Sequence, residues 1–356
     1  VQFGGQTAIN LTESLMKMVL KRQSNGILIT RNGGKLLFLV NIKTTMKKCT
    51  ATDNIKLNKS ERNLSMKVLV TGINGQLGHD VVNELTKRHH TAISTDRDEM
   101  DITNAGQVLA FVKENVPDVV IHCAAWTAVD LAEEHIDDTM KVNASGTRNI
   151  ATACKEIGCK MIYISTDYVF DGEGTVAWKP DNKCNPLNVY GQSKYEGEVA
   201  VRELLDKYFI VRIAWVFGIN GNNFVKTMLR LGKTHDKLTV VSDQIGTPTY
   251  TYDLARLLVD MAESDKYGTY HATNEGGFIS WYDFTVEILK QAAAYDNSYL
   301  NVNVIPVTSE AYPTKAKRPS NSRLDKSRLT DSGFTPLPDW KDAVSRYLKE
   351  LEAQTK

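Results

Sequence analysis

From residue 66 to about residue 217 the chain alternates between two patterns of apolar positions. Short runs at 67–71, 118–122, 160–165 and 208–214 are apolar at nearly every position and rich in Val and Ile. Consecutive apolar residues put hydrophobic side chains on both faces of a strand, which suits a parallel sheet covered on both sides. A further strand is expected at 90–95. Between the strands lie helical stretches. Residues 77–87 set Leu77, Val81, Val82 and Leu85 on one face. Residues 105–115 end before Pro117, 139–157 end at Gly158, and 189–205 form a fourth helical segment. Strands alternating with helices of this length predict an α/β, doubly wound parallel sheet.

Beyond residue 218 the rhythm loosens. Helices are expected at 223–232, 252–264, 280–294 with Ser280 as N-cap, and 339–352. Strands are expected at 238–241, 268–272 and 303–307. Residues 308–323 are proline-dotted and irregular. This half reads as a smaller C-terminal lobe over the carboxyl edge of the sheet. The expected division is a sheet domain at 66–220 and a substrate lobe at 221–356, with segments around 242–265 returning to the sheet domain.

Composition separates one further segment. Residues 1–65 hold eleven basic and three acidic residues, against 32 and 39 in the remainder, within a total of +1 over 356 residues. Only 13–22 suggests a short helix, and 26–40 a hairpin of two apolar runs. Met66 opens directly into the first strand. Residues 1–65 therefore read as a foreign or poorly ordered N-terminal extension. The near-zero net charge makes no electrostatic case for nucleic acid or a membrane surface, and no apolar run approaches the ~18 residues of a membrane span. Five scattered cysteines without a CxxC pair read as reduced thiols in a cytoplasmic protein.

The chemistry begins where the first strand meets the first helix. Gly72, Gly75 and Gly78 sit at G-x-x-G-x-x-G spacing, interleaved with Asn74, Gln76 and Leu77. A strand, a glycine turn and a helix N-terminus present backbone amides to a pyrophosphate, so 71–78 is read as a dinucleotide cradle. Asp96 ends the second strand, where an acid holds the adenosine ribose, and Arg97 beside it suits a 2′-phosphate. The pair leaves NADH and NADPH both open. Asp101 and Ile102 lie where the next loop can flank adenine. Ala124 and Ala125 are small enough for a cofactor to cross the sheet edge. Asn143 sits in an otherwise apolar helix, to hold a water or a kink near a lysine, or to cap.

Tyr190 and Lys194 stand four residues apart, hence on one helical face. A lysine there favours the phenolate and draws a tyrosine down from its usual ~10 toward neutrality. Thr166 follows the fourth strand, at the same sheet edge, where its hydroxyl can bond a substrate carbonyl. Asp167 beside it can bond a sugar hydroxyl or cap the turn. Together these residues read as the catalytic set of a nicotinamide-dependent ketone reductase.

These strings resemble an extended short-chain dehydrogenase/reductase. They are the glycine turn, 163–170 with Ser165-Thr166-Asp167-Tyr168 at its centre, and Tyr190-x-x-x-Lys194. Further strings, at 122–130 with Trp126, at 221–229 with Asn223, at 243–249, and at 311–322 with Arg318, are similar to the dTDP-4-dehydrorhamnose reductase family over about 66–350. The resemblance implies a Rossmann-like domain and NAD(P)H-dependent reduction of a 4-keto sugar on a nucleotide. By the resemblance Tyr190 protonates the oxygen, Lys194 holds the nicotinamide ribose and Thr166 bonds the carbonyl. Trp126 joins the cofactor residues. Trp215 faces the deoxysugar, Asn223 joins the substrate residues, and Arg318 serves the diphosphate. Some members hold magnesium through glutamates at a dimer interface. Asp80 and Tyr252 stand at the matching places here, so no metal is expected, and the chain is expected as a monomer or homodimer. A related nucleotide-sugar epimerase or dehydratase is the nearest alternative; Tyr168 after Asp167 departs from the Asp-Glu pair of the dehydratases. A non-catalytic nucleotide-binding regulatory subunit is the other.

Overall fold

The structure is a computed structural model, and it describes residues 27–32, 35–40 and 65–355. The chain falls into two units, 1–63 and 64–356. In the first, β1 (Ile27–Asn32) and β2 (Lys35–Val40) pair antiparallel with Ile27 opposite Val40, the hairpin that the two apolar runs predict. The helix expected at 13–22 lies outside the described residues.

In the second unit, β3 (Lys67–Thr71), α1 (Gln76–Lys87), β4 (Thr91–Thr95), α2 (Ala105–Asn115) and β5 (Val119–His122) open the alternation. Two short helices follow, α3 (Val129–Ala132) and α4 (Ile136–Met140). A π-helical turn, Lys141–Gly146, joins α4 to α5 (Thr147–Ile157). Then come β6 (Lys160–Thr166), α6 (Val189–Leu204) and β7 (Tyr208–Ile213). The lobe sequence runs β8 (Val216–Phe217), α7 (Phe224–Gly232), β9 (Lys237–Val241), β10 (Ile245–Gly246), β11 (Thr249–Tyr250) and α8 (Thr251–Ala262). It continues through β12 (Gly268–His271), β13 (Ile279–Ser280), α9 (Trp281–Ala292), β14 (Asn303–Val307), α10 (Ser327–Asp331) and α11 (Trp340–Thr355).

Six strands form one parallel sheet in the order β12-β7-β6-β5-β3-β4. The chain turns back between β4 and β5, which makes the carboxyl ends of β3 and β5 the switch point where such sheets bind ligands. The period-two rule explains both cores. Val68 and Val70 of β3 point to one face, where Leu77, Val81 and Leu85 of α1 meet Leu254, Leu257 and Leu258 of α8. Leu69 points to the other, with Val108 and Val112 of α2, Ile150 of α5 and Val201 of α6. Helix α8 follows lobe strands in sequence yet packs on α1 against the sheet. The lobe has its own core, in which Phe217, Phe284, Ile288, Trp340 and Tyr347 pack together. Its ladder of β9 and β14 is parallel, and Ser280 and Asp283 form a capping box at the start of α9.

One element departs from the pattern. A single helix was expected over 139–157, and the structure widens it by a π turn at 141–146. The turn is fastened by one local bond, Thr147 donating to the Asn143 carbonyl at 2.6 Å, and by a tertiary contact, Gly146 lying so near Ile102 that a Cβ there would come within 2.9 Å of its Cδ1. Among the described residues no helix is long and apolar enough to cross a membrane.

Phe284 is 1% exposed and meets Phe217, Phe224 and Trp340. Phe284→Ala is expected to cost about 3–5 kcal/mol of stability, read by urea unfolding; a loss under about 1 kcal/mol would show that the lobe core collapses onto the gap.

Candidate functional site

The loops at the carboxyl ends of β3 to β7 enclose a cavity of about 940 Å³. Its floor is the glycine turn. Gly72 has φ +70°, and a Cβ there would stand 2.8 Å from the Ala124 backbone. A Cβ on Gly78 would stand 2.3 Å from the Gly72 carbonyl. Both positions therefore exclude a side chain for steric reasons. Gly75 caps α1 in an extended conformation without a side-chain bond, so the first amides of α1 face the cavity unclaimed by a side-chain cap. Gly72, Asn74, Gly75, Gln76, Leu77 and Gly78 all line the wall. This is the cradle a dinucleotide pyrophosphate requires.

At one end, Asp96 accepts from the Asn74 and Arg97 amides at 3.0 and 2.8 Å. Its carboxylate is thereby fixed at the rim, and Asp96 and Arg97 both line the cavity. Asp101 and Ile102 line it too. The Asp101 carboxyl is held below its ordinary value, first by the Thr103 hydroxyl and then by the Thr103 amide.

Ala124, Ala125 and Trp126 form the wall beyond β5. Thr71 Oγ1 accepts from the Ala124 amide at 3.1 Å, which ties β3 to that wall. Asn143 was expected among the cofactor residues, and it stands behind the wall instead. It is 1% exposed; it accepts from the Trp126 amide at 2.7 Å and donates to the Trp126 carbonyl at 3.0 Å and to Ser193 Oγ at 2.9 Å. The π turn carries it to that position, so Asn143 clamps a loop to α6 and neither caps nor meets the cavity.

At the opposite end β6 delivers Thr166 and α6 delivers Tyr190 and Lys194, and all three line the cavity. Asn188 caps α6, accepting from the Gly191 amide at 2.7 Å, which sets Tyr190 in the first turn. Thr166 Oγ1 donates to Asp167 Oδ1 at 2.9 Å. Asp167 Oδ2 is buried and has no partner. Burial pushes its carboxyl up to about 6, against the nearby Ser322 hydroxyl and the Thr166 hydroxyl that bonds Oδ1. The Lys194 ammonium rests over the Tyr163 ring, 4.2 Å from its centre. Burial draws Lys194 down to about 7, and the charge of Glu198 opposes that fall.

The expectation that Lys194 draws Tyr190 toward neutrality is not met. Tyr190 is raised above its ordinary value, by burial first, with Thr166 opposing and Asp167 and Tyr168 adding to the rise. Removal from water disfavours the charged phenolate and outweighs the opposing Thr166 hydroxyl. Tyr190 therefore stays a protonated phenol, able to donate.

Trp215 lines the cavity with φ +51°, a left-handed conformation that costs a non-glycine residue on the order of 1–2 kcal/mol. Its ring stacks on Trp281 at 3.8 Å and 16°. Two other expected substrate residues do not line the cavity. Asn223 caps α7, accepting from the Lys226 amide at 3.0 Å and donating to Gly218 and Gln76. Arg318 pairs with Asp130 at 2.6 Å and reaches the Tyr168 hydroxyl at 3.4 Å, one residue behind the wall. The sequence reading missed three groups. Tyr168 and Cys123 line the cavity, and Tyr163 carries the ammonium. Tyr163 and Tyr168 both lie in the quoted 163–170 string, which was the available signal.

Residues 66–353 match the RmlD substrate binding domain family. The dTDP-4-dehydrorhamnose reductase of Aggregatibacter actinomycetemcomitans is 41% identical over 295 residues, which are 81% of this chain and 98% of that one. The solved structure of a dTDP-4-dehydrorhamnose reductase from Clostridium acetobutylicum is 45% identical, with a TM-score of 0.77 over 81% of this chain and 100% of that one. A Bacillus anthracis dTDP-4-dehydrorhamnose reductase, solved in complex with NADP, is 42% identical with a TM-score of 0.76 over the same shares. With its Rossmann-like sheet and these likenesses across nearly the whole length of its relatives, the chain belongs to the RmlD substrate binding domain family, that of the dTDP-4-dehydrorhamnose reductases.

Proposed function

We propose that this protein reduces the 4-keto group of dTDP-4-dehydro-L-rhamnose to give dTDP-L-rhamnose, with NADPH or NADH. The observation that carries the reading is that Thr166, Tyr190 and Lys194 line the same cavity as a glycine cradle in which side chains are sterically excluded. When bound, the reduced nicotinamide supplies a hydride to C4. Tyr190, held protonated by burial, gives its proton to O4 as the carbonyl becomes an alcohol. The Thr166 hydroxyl, which bonds Asp167 Oδ1 in the free protein, turns its one hydrogen to the same oxygen and stabilises its developing charge. Lys194 holds the ribose of the cofactor. Gly72, Asn74, Gly75, Gln76, Leu77 and Gly78 hold the pyrophosphate. Asp96 and Arg97 hold the adenosine ribose, a pairing that admits both cofactors.

On the substrate side, the unpartnered Asp167 Oδ2 suits a sugar hydroxyl, and the Trp215 face suits the C–H-rich deoxysugar. Arg318 serves the diphosphate if it leaves Asp130. Residues 66–220 are proposed as the cofactor half and 221–356 as mainly the substrate half, with monomer or homodimer both compatible. Among the described residues no cluster of three His, Cys, Asp or Glu side chains suits a metal ion.

Incubating the protein with dTDP-4-dehydro-L-rhamnose and NADPH or NADH should show cofactor oxidation at 340 nm, and no oxidation with either would sink the reading. Tyr190→Phe is expected to lower kcat by roughly 10²- to 10⁴-fold while cofactor affinity changes little; near-full turnover would remove Tyr190 from the acid role. Lys194 loses its charge as pH rises through about 7 in the free protein, so kcat/KM should fall across that range. A Lys194→Met variant should lose that limb, and a profile that keeps it would assign the titration to another group.

A further inference from the structure

A buried cluster lies directly beneath the cavity wall. Glu198 is one helical turn beyond Lys194 on α6 and is 0% exposed. Its Oε1 accepts from Ser165 Oγ at 2.6 Å and from Arg212 Nε at 2.8 Å. Its Oε2 accepts from a second Arg212 nitrogen at 2.8 Å and from Arg202 at 3.0 Å. Arg212 is 2% exposed and turns its remaining hydrogens to the Pro180 carbonyl, Cys184 Sγ and His271 Nε2. Burying a fork-to-fork ion pair this deeply gives little stability over an apolar packing of the same shape. What it does give is fixed geometry, because four donors specify one carboxylate position.

We infer that Glu198 is a positioning residue: one buried carboxylate ties Ser165, the neighbour of Thr166 on β6, to the helix that bears Tyr190 and Lys194, and both to Arg212 on β7. The inference rests on the proposed roles of Thr166, Tyr190 and Lys194. Those three reach the cavity from two elements, β6 and α6, and Glu198 bonds to both. A displacement of about 1 Å between reacting groups costs on the order of a hundredfold in rate.

The same carboxylate supports the charge of Lys194 against burial. The groups around the ammonium are His122 and Cys123 from β5, Tyr163 from β6, and Tyr190 and Glu198 from its own helix. Burial drives His122 down to about 3 and Cys123 up to about 12, so both are neutral near pH 7. Tyr163 and Tyr190 are raised and neutral. Burial works against the charge of Glu198 itself, but Arg212, Ser165 and Arg202 outweigh it and hold the carboxyl below its ordinary value. Glu198 is thus an ionised neighbour of Lys194 and supports its proton.

The test compares wild type, Glu198→Gln and Ser165→Ala by steady-state kinetics, thermal unfolding and NMR titration of the ¹⁵N-labelled Lys194 side chain. Glu198→Gln keeps the shape and removes the charge. It should lower kcat roughly tenfold or more with little change in KM, and it should move the Lys194 titration to lower pH. Ser165→Ala cuts only the strand tie; it should lower kcat and leave the Lys194 titration in place. A merely structural residue would lower the melting temperature and move neither readout. A folded Glu198→Gln protein with wild-type kcat and an unmoved Lys194 titration overturns the inference. If Glu198→Gln does not fold, Ser165→Ala decides, and an unchanged kcat overturns it. A wild-type protein that fails to turn over the sugar nucleotide counts against the proposed reaction, and the Lys194 titration then decides on Glu198 alone.

Discussion

The site depends on how near the turn after β3 comes to the backbone leaving β5. With no side chain at Gly72, the two segments approach to a distance that a Cβ would violate, and Thr71 Oγ1 bonds the Ala124 amide across the gap. That approach keeps the floor of the cavity shallow and all backbone. A flat anion can then lie against amides at the start of α1 with no side chain between. Had Gly72 carried a side chain, its Cβ would have met the Ala124 backbone and forced the two segments apart.

The lobe and the segment leading into it are anchored to the same floor. Asn220 donates to the Asn74 and Gly75 carbonyls at 2.8 and 3.3 Å, and Asn223 bonds Gln76. Helix α8 packs on α1, the helix that the glycine turn begins. The glycine turn therefore belongs to both halves of the cavity. A residue that looks like a substrate contact in a sequence string, as Asn223 does, can act one step earlier by holding the lobe on the cradle.

Much of this was legible in the chain. Four strands of the large sheet, β3, β5, β6 and β7, declared themselves because they are apolar at nearly every position, and helices could be bounded by Gly158, Pro117 and the Ser280 cap. Gly72, Gly75, Gly78, Thr166, Tyr190 and Lys194 were found by spacing and all reach one cavity. What stayed hidden depends on contacts between distant segments. The π turn answers to Ile102 and Trp126, which no local pattern shows. Arg318 meets Asp130 across 188 residues. Asn223 carried the ordinary signal of an N-cap, an Asn before an apolar helical run, but the longer string around it suggested a ligand. The charge state of Tyr190 turns on burial, and burial is a property of the packed molecule, not of a four-residue spacing.

Trp215 has one further consequence. Its backbone is held left-handed and its indole lies 3.8 Å from that of Trp281, nearly parallel. Two indoles that close absorb as a coupled pair and not as separate rings, so their near-ultraviolet circular dichroism depends on their mutual angle. One member of the pair belongs to the cavity wall and the other to the first turn of a lobe helix. The protein thus carries a built-in optical gauge of the fit between wall and lobe, readable without label or turnover.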